Sequence, residues 1–514
     1  MSKKISLYNR CLNGIEQVGN SLPHPTVLFA LFTLAVIGLS ALCAALGVSA
    51  TGSLVSGGEL KQTTVAAVSL LTKEGLRYLF TGAVGNFTGY APLGMVLVAM
   101  LGVGVAEQSG LIDTLLKALV KAAPARLLTP MTVFLGVMSN IASDAGYVIL
   151  IPLGAMMFRA CGRHPIAGLA AAFAGVSGGF SANLLIGTLD PMLAGITQAA
   201  VSLLDPGYTV QVMGNYLFLV ASTFLITAVG TLITDRVVEP RLEAFDTIED
   251  EGHADLAAVT PLQKRGLRNA GLAAACFAAL VAAACLPADS FFRSDTGALL
   301  GRTPFLDSLI VLIALLFFLP GAAYGLTVGT YRGSRDVAEA MSRSMASMGS
   351  FLALAFVSAQ FISCFGYTNL GTILALKGAA FFRSANVGLI PLMVIFVLFS
   401  AFMNLFMGSA SAKWNILAPV FVPMFMLLGY SPELCQLAYR LGDSCTNIIT
   451  PMMAYYAVIL VYAQRYDKTA GIGTLTATML PYSIAFLVCW TVMLIAWLSL
   501  GLPIGVGTPL FYPA

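Results

Sequence analysis

Two stretches of this chain carry the same punctuation at a fixed distance, and that duplication restricts the fold more than any other feature. The first, residues 139–191, reads SNIASDAGYVILIPLGAMMFRACGRHPIAGLAAAFAGVSGGFSANLLIGTLDP. The second, residues 406–451, reads FMGSASAKWNILAPVFVPMFMLLGYSPELCQLAYRLGDSCTNIITP. Pro152 and Pro419, Gly162 and Gly429, Pro165 and Pro432, Gly175 and Gly442, and Ser177 and Ser444 all stand 267 positions apart, and Asn183 and Asn447 stand 264 apart. In each copy small polar residues (Ser139, Asn140 and Ser143; Ser409 and Ser411) separate two apolar runs, and a second, Gly-rich break follows. Matching interrupted apolar segments in two halves of a chain point to the binding site of a secondary transporter.

The medium is a bilayer. Of 514 residues 58% are hydrophobic and 10% charged, where a soluble chain carries about 25% charged residues. Nine scattered cysteines without CxxC spacing read as apolar fillers, and three histidines argue against a histidine metal site. The first apolar run, after a basic start, is too long for a signal peptide. Lysine and arginine cluster at 3–10, 117–126, 236–268, 332–343 and 465–468, which places these segments in the cytoplasm.

The expected class is therefore an all-α polytopic membrane protein, with nine transmembrane helices plus two re-entrant hairpins in two inverted repeats. The N-terminus is expected in the cytoplasm and the C-terminus in the periplasm. The expected division is an N-terminal segment and first span (1–75, with 49–74 as an outer loop) and repeat 1 (76–236) with hairpin 127–160. A cytoplasmic linker (237–266) and two connecting spans (267–340) follow. Repeat 2 (341–502) contains hairpin 384–428, and 503–514 is a tail.

Irregular backbone survives at membrane depth only where it lines a cavity or is buried in protein. Half-helix N-termini there attract anions, and C-terminal carbonyls hold cations. Ser139, Asn140, Ser143, Asn183 and Thr188 from one copy can converge with Ser409, Ser411, Thr446, Asn447 and Thr450 from the other. Their oxygens suit Na⁺, water or a polar ligand; alternatively they only satisfy backbone where helices meet. Intramembrane charges are few: Asp144, Asp190, Lys413, Arg440 and Asp443. Arg440 and Asp443 can share one helix face as a structural pair. In the functional reading Arg440 holds a substrate carboxylate or sulfonyl group, while an aspartate carries a proton or neutralises a cation. Asp190, Asp443, Asn140, Ser143, Asn183, Ser409 and Asn447 form the ion-coupling set, with H⁺ or Na⁺ as the ion and no organic cofactor. Lys413 can snorkel to the interface. Trp414 offers a flat face to an aromatic ring, or simply packs.

The strings SNIASDAGYV, GRHPIAGLAAAFAGVSGG, LIGTLDPMLAGI, GSASAKW, LAPVFVPMFMLLGYSPE, YRLGDSCTNIITPMM and GLPIGVGTPLFYP resemble the p-aminobenzoyl-glutamate transporter (AbgT) family, above all its MtrF-type antimetabolite-efflux branch. The resemblance runs end to end. It implies a homodimer in the bacterial inner membrane that moves p-aminobenzoyl-glutamate and exports sulfonamides. It also implies substrate contacts at Asp190, Ser411, Trp414, Pro432 and Arg440. Lys413 stands where a neutral residue such as glutamine is expected. The expected partners are a small-molecule substrate, the bilayer and a second copy of the chain, with no nucleic acid. Sodium-coupled uptake of a dicarboxylate-like or p-aminobenzoyl-glutamate substrate is the alternative. A passive channel and an intramembrane amide hydrolase are the rival classes, the latter without HExxH in the chain and with no GxSxG nucleophile elbow evident.

Overall fold

The structure, a computed structural model, describes residues 23, 25–56, 59–121, 124, 127–142, 146–242, 259–299, 303–453 and 455–512. Ser143, Asp144 and residues 243–258 of the expected linker lie outside the described residues. After α1 (Pro25–Ala45), a ribbon of β1 (Ser49–Ser56) and β2 (Glu59–Ala66) pairs antiparallel, Ser49 opposite Ala66. This corrects the outer loop expected at 49–74. The β-branched content of SATGSLVS and ELKQTTVA suits a pleated strand, and Thr51 and Thr64 hydrogen-bond across the pair at 2.8 Å.

The crossing α2 (Ala91–Gln108) leads to hairpin 1, made of α3 (Leu128–Ser139), a 3₁₀ turn at Asn140–Ala142, a π turn at Gly146–Leu150 and α4 (Ile151–Ala160). A broken crossing follows: α5 (Pro165–Phe173), a π turn at Ala174–Gly178, irregular chain, then α6 (Leu189–Val201). Next come α7 (Tyr216–Ile233, prolonged by further turns to Arg241), α8 (Pro261–Cys285), α9 (Leu309–Val328) and α10 (Gly349–Tyr367). After α11 (Leu370–Ser384), hairpin 2 consists of α12 (Leu389–Asn404) and α13 (Ala410–Leu427). The second broken crossing is α14 (Pro432–Asn447) and α15 (Tyr456–Gln464), and α16 (Ile472–Ser499) is the final span.

Among the described residues eight helices are long and apolar enough to cross a membrane, α13 being one of them. Setting that hairpin arm aside, the other seven and the two broken crossings make nine. Five crossings separate hairpin 1 from hairpin 2 along the chain. Because that number is odd, the hairpins enter from opposite faces, and the repeats are inverted.

The shared punctuation builds the same turn twice. Gly162 and Gly429 have φ of +71° and +89°, a left-handed conformation that ends a helix cheaply only with glycine. Arg163 N–H donates to Phe158 O at 2.8 Å, and its equivalent Tyr430 N–H donates to Phe425 O at 2.9 Å. His164 Nδ1 then caps α5 by accepting from Ile166 N–H, and Ser431 Oγ caps α14 by accepting from Leu434 N–H. Pro165 and Pro432 take the first helical position, where no N–H is missed.

The second shared glycine fixes the packing. A Cβ on Gly175 would lie 2.3 Å from Val133 O, and one on Gly442 would lie 2.3 Å from Val397 O. Each broken helix thus touches the first arm of its hairpin at backbone distance, an approach that only the smallest residue permits. The helices grade from lipid to core. Every residue of α14 is buried, whereas α8 has only 11% of its apolar window buried and faces outward.

Candidate functional site

Both hairpin tips and both helix breaks enclose one cavity of about 440 Å³, within the roughly 300–1,000 Å³ of small-molecule sites. Repeat 1 lines it with Asn140, Tyr147, Phe180, Thr188, Leu189 and Met192; repeat 2 contributes Gly408, Ser409, Ala410, Ser411, Asn447, Met452, Met453 and Tyr455. The expected Asn140, Thr188, Ser409, Ser411 and Asn447 therefore do meet in one wall. Tyr147 and Tyr455 stack face to face there, centroids 4.7 Å apart and planes 7° apart. Asn140 donates its amide N–H to Val137 O at 3.1 Å, while its buried Oδ1 has no partner. Asn183 lies outside the lining residues and accepts from Leu185 N–H at 3.2 Å. Ser409, Ser411 and Asn447 line the same cavity as Asn140, and side-chain oxygens of this kind suit hard cations.

The charged residues stand behind this wall, and they pair differently from the helix-face expectation. Arg440 Nη1 donates to Asp190 Oδ1 at 2.7 Å, tying α14 of repeat 2 to the first turn of α6 in repeat 1. Asp190 Oδ2 accepts from Gly187 N–H at 2.8 Å, which closes the break in repeat 1. Arg440 Nε is buried with no hydrogen-bond partner. Asp443, three residues on, pairs not with Arg440 but with Lys413, whose Nζ lies 2.5 Å from Asp443 Oδ1. Lys413 does not snorkel: its side chain is wholly buried, because α14 carries a carboxylate to it in the interior. Either charge left without its partner at this depth would cost several kcal/mol.

Trp414 and Pro432 serve the scaffold in this conformation. Trp414 is fully buried and stacks on Tyr439 at 4.5 Å and 22°, so that face is taken. Its Nε1 donates to Thr197 Oγ1 at 2.9 Å. Thr197 in turn donates to Gln436 Oε1 at 2.6 Å, Gln436 Nε2 donates to Asn215 Oδ1 at 2.9 Å, and Asn215 Nδ2 donates to Glu433 O at 2.8 Å. Tyr208 OH donates to Glu433 Oε2 at 2.9 Å. Sequence reasoning missed this buried chain, and it missed Asn404 as well. The signal for Asn404 was present: it stands 264 positions after Asn140, the offset that joins Asn183 to Asn447.

The geometry is that of two inverted halves sharing one interior site, and known proteins match the chain over nearly its full length. The sequence pattern of the AbgT putative transporter family matches residues 10–512. The p-aminobenzoyl-glutamate transport protein of Escherichia coli K12 is 38% identical over 493 residues, covering 96% of this chain and 95% of that one. The crystal structure of the Alcanivorax borkumensis YdaH transporter, noted for an unusual topology, superposes with a TM-score of 0.88 at 49% identity, over 94% of this chain and all of that one. Neisseria gonorrhoeae MtrF, of a class of antimetabolite efflux pumps, superposes with a TM-score of 0.91 at 46% identity, over 97% of this chain and all of MtrF. These relatives are transporters and efflux pumps rather than enzymes. With the duplicated frame, the shared cavity and similarity from end to end, the chain belongs to the AbgT family of membrane transporters.

Proposed function

We propose that this protein is a secondary active transporter of p-aminobenzoyl-glutamate and related p-aminobenzoate-like compounds, including gradient-driven efflux of sulfonamide antimetabolites. It works as a homodimer in the bacterial inner membrane, with the N-terminus in the cytoplasm and the C-terminus in the periplasm. The observation that carries the reading is the half-used fork of Arg440. A purely structural arginine at this depth gains most by meeting a carboxylate through two parallel bonds. Arg440 gives Asp190 one N–H and keeps Nε buried without a partner behind the cavity wall, a donor that a ligand carboxylate meets when that wall parts during the transport cycle. The ring of the same ligand finds Tyr147, Tyr455 and Phe180 in the cavity wall, and its amide finds Asn140 Oδ1. Ser409 and Ser411 supply hydroxyls at the opposite tip.

A hydrogen bond to a charged group contributes about 1.5–3 kcal/mol. Arg440→Ala is therefore expected to weaken p-aminobenzoyl-glutamate binding roughly tenfold or more and to affect a neutral sulfonamide less. Arg440→Lys keeps the charge without the planar fork and recovers only part of the affinity. Isothermal titration on purified protein reads both ligands, and flux into proteoliposomes reads transport. Unchanged binding of both ligands by Arg440→Ala would reduce Arg440 to a structural partner of Asp190 and refute the pose.

A further inference from the structure

Lys413 sits on the fourth residue of α13, at the tip of hairpin 2. Three elements meet at its ammonium. Asp443, on α14, brings a carboxylate oxygen to 2.5 Å. Asn404, the last residue of α12, brings its Oδ1 into hydrogen bonding with Nζ. The amide of Asn404 has no freedom to turn away: its Nδ2 donates to Asp443 O at 2.7 Å, Thr446 Oγ1 at 2.9 Å and Asn447 Oδ1 at 2.8 Å. Spent on α14 in this way, Nδ2 fixes the carbonyl oxygen toward the ammonium. One charged and one neutral oxygen, each held by a separate element, thus aim at a single point in the interior, where Lys413, Asn404 and Asp443 are all buried.

Take the ammonium away and the two oxygens describe the start of a cation site. A carboxylate at membrane depth requires a positive partner, and carboxylate with carbonyl-type oxygens is the donor set of hard cations. Lys413 supplies that partner covalently. We propose that the Lys413 ammonium is a tethered replacement for a monovalent metal ion at the Asn404–Asp443 position. In this chain no free sodium ion enters there, and residue 413 is the switch that decides whether one does. The residues present therefore do not fit a sodium ion at Asp443, and any sodium dependence of transport has to arise elsewhere. The inference refines the transport reading above but is tested without a substrate, so the two fail separately.

The experiment compares the full-length wild type, Lys413→Gln, and Lys413→Gln with Asp443→Asn, purified in detergent. Melting temperature is followed as NaCl replaces choline chloride at constant ionic strength. The wild type is expected to be indifferent to the replacement. Lys413→Gln should melt lower than wild type in choline and rise by several degrees in a saturable way with sodium, as a ligand that binds only the folded state requires. The double variant has no charge to match and should again be indifferent. A wild-type melting temperature that climbs with sodium and loses that climb in Asp443→Asn would overturn the proposal, because a free ion would then share the site with Lys413. A folded Lys413→Gln that ignores sodium overturns it too. So does a Lys413→Gln that folds in neither salt while the double variant folds, since free sodium would then be unable to replace the ammonium.

Discussion

Where repeat 2 has Arg440, repeat 1 has Phe173, and where repeat 2 has Asp443, repeat 1 has Val176. Lys413 corresponds to Gly146 by the offset that joins the second hairpin arms. Around these positions the left-handed glycine, the capped proline start and the glycine pressed against the first arm all recur, although repeat 1 passes through π turns at Gly146–Leu150 and Ala174–Gly178 where α13 and α14 stay α-helical. Even the outer anchoring of the shared turn diverges. In repeat 1 Arg163 binds Asp235 at 2.7 Å and also Glu239. In repeat 2 the C-terminal tail does the work through backbone, Ser431 N–H donating to Leu510 O at 3.1 Å and Tyr512 N–H to Gly429 O at 2.9 Å. A duplicated frame thus carries its buried charge pairs largely on one copy. Symmetry supplies the two-sided cavity, and asymmetry supplies the electrostatics.

The largest effect is expected from breaking the Lys413–Asp443 pair. Lys413→Met or Asp443→Val alone strands a buried charge and should cost about 3–5 kcal/mol, whereas replacing both partners together should be close to neutral. Thermal melting of the three variants checks this. The double variant writes the apolar residue of repeat 1 into repeat 2 at Asp443, so it should fold yet lose transport in proteoliposomes if the charge asymmetry is functional. Retained transport would make the asymmetry purely structural.

A smaller effect tests the frame instead of the charge. Gly175→Ala and Gly442→Ala each push a methyl to 2.3 Å from a carbonyl oxygen, and overpacking of that kind costs about 1–3 kcal/mol. Shifts of similar size are expected in the two melting curves. A shift at only one position would break the equivalence of the repeats.

The smallest effect sharpens the comparison at the caps. Burial holds the His164 imidazole below its ordinary value of 6.5, against the opposing pull of Glu239 and Asp467. A group whose folded-state value is depressed contributes stability above its unfolded value and loses it as pH falls through the folded one. Protonation of Nδ1 also removes the cap on Ile166, for about 0.5–2 kcal/mol. Melting temperature should therefore drop below about pH 6.5 in the wild type. His164→Ser, which copies Ser431, should keep the cap and flatten that part of the profile. An unchanged profile would assign the pH dependence to other groups.

Much of this frame was legible because its signals are local. A glycine with positive φ followed by a capping residue and proline states a helix end and a helix start within four residues. The oxygens that meet in the cavity were legible for the same reason, each lying at a visible interruption of an apolar run. The pairing of the charges was not. Arg440 has Asp443 one turn away, yet it bonds Asp190, 250 positions earlier, because the breaks bring α6 beside α14. Thr197, Asn215 and Gln436 went unnoticed since isolated polar residues in apolar helices look alike until a partner is known. The β-ribbon was lost to the assumption that a stretch outside the spans is loop.

One consequence follows from the complete burial of α14. A helix with one side in lipid can drift through leucine, valine and isoleucine there at little cost. Along 432–447 no such side exists, and every change of volume meets a neighbour in a close-packed interior. Invariance in this segment among natural variants is thus the default outcome of packing, at Leu437 as much as at Arg440. The informative natural experiments are the substitutions that alter charge at constant volume, and residue 413, where this chain carries lysine, is the place to look for them.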